Sequence, residues 1–263
     1  MSKQVTDRQG ATETVASAAE THAARIAEAF TATFADSLQG KEKMPDVALL
    51  VTLLARKLRR DNAMLVKASQ EHEKELADDA APREARDEAA AALTAEVVDI
   101  RGLVESTFGA PLLRSLGIDG KTAVEPKAIL AQSRQLARSL QDPKRKWPKP
   151  ARKGVKVDPR EWANDLETWA ARLEEAQRDV ARETREAQAA LDLKNRAMSA
   201  NDDTFMRVAR FLSAVFFVVG DDDLATKVRP SARRPGTVLA ETEGDVNDAA
   251  PAPEDEPTPT ADK

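Results

Sequence analysis

The amino-acid sequence predicts an all-α fold, an elongated helical bundle of about six helices. Three observations carry that expectation. Charged residues make up 32% of the chain and aromatics 4%, with no Tyr; so few aromatic and β-branched residues cannot build a sizeable sheet, whereas abundant Ala, Leu, Glu, Arg and Lys suit long helices. Apolar residues recur every three or four positions through most of the chain. Finally, one spacing occurs twice. Ser37-Leu38-Gln39 and Ser139-Leu140-Gln141 are each followed by a charged connector, an Asp (Asp46, Asp158) and, 63 or 62 positions later, a Gly (Gly109, Gly220). That pattern reads as two tandem three-helix units, residues 11–121 and 122–230, with long coiled-coil-like hairpins.

The elements follow in order. Residues 1–10 are polar and read as a disordered start. A first helix is expected over 12–39, with Ala16, Ala19, Ala23, Ile26, Phe30 and Phe34 on one face and Gly40 as its stop. Asp46 is a capping residue type for a second helix. Its stripe of Val47, Val51, Leu54, Leu58 and Leu65 is widened early by Leu50 and Leu53. Pro82 suits the first position of a third helix carrying Leu93, Val97, Ile100 and Val104. A connector with a short turn, 112–125, leads to a fourth helix from Pro126 that Asp142-Pro143 breaks.

The clearest start is Asp158-Pro159-x-Glu161, a cap, an N1 proline and a capping-box acid. Behind it Trp162, Leu166, Trp169, Leu173, Ala176 and Val180 step as a coiled-coil seam. Asn201, Asp202 or Asp203 is expected to cap a sixth helix, apolar nearly all round at its end through Phe211, Val215, Phe216, Phe217 and Val218. Leu224 and Val228 suit one further docked turn. Residues 231–263 turn to Pro and acid and read as a disordered tail.

Charge narrows the function classes. The net charge is −5, but Thr237–Lys263 alone carries −7, which leaves a near-neutral body. Overall acidity therefore does not argue against an anionic partner. No apolar run approaches the roughly 18 residues that span a bilayer, and Met1–Gly10 has no signal-peptide apolar region, so a cytoplasmic protein is the expectation. Arg outnumbers Lys, 24 to 16, which with high Ala fits a GC-rich bacterial genome.

No catalytic constellation emerges. The chain has no Cys, and His22 and His72 are its only histidines, so thiolate chemistry, Cys-ligated zinc and paired-His metal ligation are excluded. No phosphate-binding glycine loop or nucleophile elbow occurs. Neither a cofactor nor a metal is expected. The sharpest functional signal is the basic connector 143–157. Lys144, Arg145, Lys146, Lys149, Arg152, Lys153 and Lys156 attract phosphate there, Trp147 can stack on a base, and prolines keep the segment extended. The leading expectation is a non-enzymatic protein-interaction or scaffold protein with a protein partner or self-association. The alternative is nucleic-acid or anionic-surface binding through residues 144–156.

Overall fold

The computed structural model describes residues 2–150 and 157–239, and it is all-α. Seven α-helices are present among the described residues: α1 (Lys3–Phe34), α2 (Val47–Asp78), α3 (Ala80–Phe108), α4 (Ala110–Leu116), α5 (Pro126–Gln141), α6 (Pro159–Val218) and α7 (Asp222–Lys227), with a 3-10 turn at Ala35–Ser37. None is long and apolar enough to cross a membrane.

The chain groups differently from the expected units 11–121 and 122–230. One unit takes residues up to Glu71 together with those from Leu191 onward; the other is His72–Ala190. Both α2 and α6 therefore belong partly to each unit. The expected hairpin between the second and third helices is absent, since α3 starts one residue after the end of α2, across Asp79 in a right-handed helical conformation. The expected fifth and sixth helices are one helix, α6, of 60 residues and about 90 Å. Its physical reason lies in the sequence: no Gly or Pro occurs between Pro159 and Gly220. Asn201 is buried, and Asp202 is committed to Arg8 rather than to a cap.

The first unit is a three-helix bundle of α1, the first part of α2 and the last part of α6. Its core joins Val15, Ala19 and Ile26 to Val51 and Leu58, and to Phe205, Leu212 and Phe216. The start of α1 is helical, not the expected disordered stretch over 1–10, because Val5 is fully buried and Arg8 makes a fork of bonds to Asp202 at 2.7 and 2.8 Å. The Arg8–Asp202 and Arg25–Asp221 pairs fix α1 parallel to α6. α2 runs back antiparallel, with Arg59 reaching Glu13 and Glu20 on α1 and Asp61 accepting from Thr204 Oγ1 on α6 at 2.7 Å.

The expected tail does not begin at 231. Val228, Ser231, Thr237 and Val238 are buried, Pro230 and Val238 form an antiparallel bridge, and Ser231 N–H donates to the Thr237 carbonyl at 2.8 Å. Gly236 stands at φ +72° against the Arg8–Asp202 pair, where a Cβ would lie 2.3 Å from Asp202 Oδ1. Only glycine fits there. The rest of the expected tail, residues 240–263, lies outside the described residues.

The second unit packs α3, α4, α5 and the first part of α6. Leu93, Val97 and Ile100 meet Leu116, Ile129 and Leu136, and Leu166 and Leu173 of α6. Arg134–Glu174 and Gln141–Glu167 place α5 antiparallel to α6. The capping expectation at 158 agrees: Asp158 Oδ1 accepts from Arg160 N–H at 3.0 Å. The seam is turned slightly from expectation. Ala163, Leu166, Ala170 and Leu173 are buried, whereas Trp162 and Trp169 are half-buried beside them. Small alanines allow close helix approach, and the Trp rings cover the flank, with the Arg172 guanidinium 4.6 Å from the Trp169 ring.

Candidate binding surfaces

The basic connector is partly built into the second unit. Asp142 is extended and ends α5, and its carboxylate accepts from Lys144 N–H at 2.9 Å. This turn sends Arg145 back onto the bundle, where it donates to the Ser139 carbonyl at 2.8 Å, to Ser115 Oγ at 2.8 Å and to the Ser115 carbonyl at 3.2 Å. Arg145 thus satisfies backbone near the ends of α4 and α5. Trp147 is half-buried, its ring centroid 5.5 Å from that of Phe108. Lys144, Lys146 and Lys149 are exposed. Arg152, Lys153 and Lys156 lie outside the described residues.

A cleft of about 510 Å³ opens at this place, walled by Phe108, Trp147, Pro148 and Pro159. Arg145 and Arg160 line it, but so do Asp142 and Asp158, so its mouth carries both signs. Of the expected anion-binding residues, the structure brings Arg145 and Trp147 together in a structural role and leaves three lysines in solvent.

Three carboxylates the sequence reading did not connect come within 4.8 Å of one another: Glu75 from α2, with Glu183 and Glu186 from α6. An all-oxygen set of this kind suits a hard divalent cation. Glu183 also takes an ion pair from Arg182 at 3.1 Å, which offsets part of its charge. The 3-residue spacing of Glu183 and Glu186 was visible in the sequence, but Glu75 is brought in only by tertiary packing.

The first unit carries the more unusual surface. Asp61 of α2 and Thr204 of α6 bond, so the flanks bearing them face each other. Leu50, Leu54 and Lys57 share the Asp61 flank at 4-3-4 spacing, and Phe211, Val215 and Val218 share the Thr204 flank at 7-4-3. Leu54 and Val215 are partly buried against the core. Around them Leu50, Leu53, Phe211 and Val218 remain 42–49% exposed. The end of α6, apolar nearly all round, is therefore buried on part of its circumference only. The signal was present in the stripe that Leu50 and Leu53 widen and in the surplus apolar residues of 211–218.

The chain matches no protein-family model, and no curated protein or solved structure is similar to it.

The other two grooves of this bundle are partly covered by the chain itself, with clefts left beside α7. Between α1 and α6 lie α7 and the 230–238 segment, held by Ser213 Oγ donating to the Ala225 carbonyl at 2.7 Å and by Gly236 over Arg8–Asp202. Between α1 and α2, Arg59 bridges Glu13 and Glu20. Arg59 and Ser17 hold the Glu13 carboxyl well below the usual carboxylate range, at about 2. The α2/α6 groove keeps Leu50 and Phe211 in the open, and Phe217 is exposed on the α7 side of α6.

Proposed function

We propose that this chain is a non-enzymatic helical protein that works by binding another protein, as an interaction module or scaffold. The observation that supports this reading most directly is the exposed apolar group Leu50, Leu53, Phe211 and Val218 on two adjacent helices of one bundle. Scattered exposed leucines are ordinary, whereas a contiguous apolar patch on a charged surface costs solubility and marks an interaction site. A photo-crosslinking amino acid placed at Leu50 or Phe211 in the native cell is expected to trap a protein adduct. The same group at the exposed Thr168, in the other unit, is the control. No adduct at either test position, or equal adducts at Thr168, removes the reading.

The alternative, binding of nucleic acid or an anionic surface through 144–156, is supported by exposed Lys144, Lys146 and Lys149. It is weakened by the engagement of Arg145 and Trp147 within the bundle. Replacing the three lysines with Gln lowers salt-sensitive oligonucleotide binding if this reading holds, and leaves it unchanged if it does not.

A further inference from the structure

The larger cleft beside α7 combines charge with an uncovered aromatic ring. It measures about 670 Å³ and is lined by Arg210, Ser213, Ala214 and Phe217 of α6, by Asp222 of α7, and by Arg229 just after α7. Phe217 is 68% exposed. Neither Arg210 nor Arg229 has a hydrogen bond or ion pair among the described residues, and Asp222 shares the cleft without bonding either guanidinium. The neighbouring Asp221 is taken, accepting from Leu224 N–H as the cap of α7 and holding Arg25. Two unpaired guanidiniums against one carboxylate leave the cleft cationic. The surrounding chain has the same sign: residues 222–238 hold Lys227, Arg229, Arg233 and Arg234 against Asp222 and Asp223. The sign then reverses at once. Residues 239–248 hold Glu241, Glu243, Asp245 and Asp248, with no cation among them.

The point of reversal is fixed at the cleft. Leu239 N–H donates to the Arg229 carbonyl at 2.8 Å, so the chain leaves the first unit beside a residue that lines the cleft. We propose that the acidic segment 240–248 of the same chain docks across this cleft, with its carboxylates on Arg229 and Arg210 and Val246 against the Phe217 ring. A guanidinium and a carboxylate form two parallel charge-assisted bonds. Residues two apart lie on one side of an extended chain, so Glu241, Glu243 and Asp245 reach the same surface. The seven residues from Leu239 to Val246 span up to about 25 Å when extended, enough to cross a cleft of this volume. Val246 is the one apolar residue larger than Ala or Pro in 240–263, which suits it to cover an exposed ring. A short tether holds the segment at an effective concentration of about millimolar, so modest ion pairs suffice. The segment is thus a cover in cis, and an anionic partner reaches Arg210 and Arg229 only by displacing it.

The chain has no cysteine, so an engineered pair reports on docking directly. The full chain carries Val246→Cys together with either Ala214→Cys in the cleft or Thr21→Cys in the second cleft beside α7. Ala214 and Thr21 are both exposed, so the variants keep their helical circular dichroism. Titration with reduced and oxidised glutathione gives the effective concentration of each pair. The Ala214 pair is expected to exceed the Thr21 pair about tenfold or more, with a margin that shrinks in high salt. Arg210→Gln with Arg229→Gln is expected to bring the two pairs level, as is Glu241→Gln with Glu243→Gln. Equal effective concentrations at the two positions before those substitutions overturn the proposal. A preference for Ala214 that survives the arginine substitutions also overturns it. So does a disulfide that forms between chains and not within one, because the occupant is then the segment of a second copy.

Discussion

Single residues decide how the first bundle is held. Arg59 carries two carboxylates across the α1/α2 groove, and Glu13 titrates near 2 as a result, chiefly through its hydrogen bond with Arg59 and then that with Ser17. A carboxylate held below its unfolded value stabilises the fold above that unfolded value, near 4.5, and its contribution is lost as pH falls toward 2. Glu13 stands largely in solvent, so the effect is at most about 1 kcal/mol. Arg59→Gln is expected to lower stability at neutral pH by that amount and to flatten the acid limb between those pH values. Urea midpoints measured against pH check it; parallel acid limbs in the two proteins disprove it. None of this was legible in the sequence, where Glu13, Glu20 and Arg59 are ordinary charges on separate helices.

At the level of elements, most helices and several of their ends were legible. α5 starts at Pro126 and ends before Asp142-Pro143, and α6 starts behind Asp158 as its cap chemistry requires. Local chemistry is decisive at such points, since a cap or a proline acts within one turn. The break expected near Asn201 is absent because the capping residue types there are engaged by other elements of the bundle. Asp202 faces Arg8, and Asn201 is packed in the core with neither side-chain polar atom paired among the described residues. Asp203→Pro separates the two readings. At the first position of a new helix proline is well tolerated, but within continuous α6 it removes a hydrogen bond and clashes with the preceding turn. The expected loss is about 3 kcal/mol or more, seen as a lower thermal midpoint. An unchanged midpoint argues for a helix boundary there.

Across the whole molecule, the repeated spacing corresponds to two long helical spans and not to two tandem units. Asp46 to Gly109 covers α2 and α3, and Asp158 to Gly220 covers α6; each span is nearly unbroken helix, and each is shared by both units. Periodicity reveals which residues are buried, but not which distant segment buries them. For that reason the pairing of Val51 and Leu58 with Phe205 and Leu212 was out of reach. Likewise, periodicity does not tell that Leu50 and Phe211 stay exposed after folding. The fragment 72–190 is accordingly expected to fold alone, with cooperative urea unfolding. The fragments 11–121 and 122–230 are expected to be poorly structured, because each omits helices that its core needs. Cooperative unfolding of those two and not of 72–190 reverses the assignment.

This interleaving sets an order of events during synthesis. Residues 72–190 are complete in the chain well before Phe205, Leu212 and Phe216 leave the ribosome, so the middle of the protein can fold while its first helix waits. At about 5–20 residues per second that wait lasts roughly ten to forty seconds, with Val15, Ile26 and Val51 lacking their final cover. The nascent N-terminal segment is thus the stretch on which a holding chaperone has the most to do.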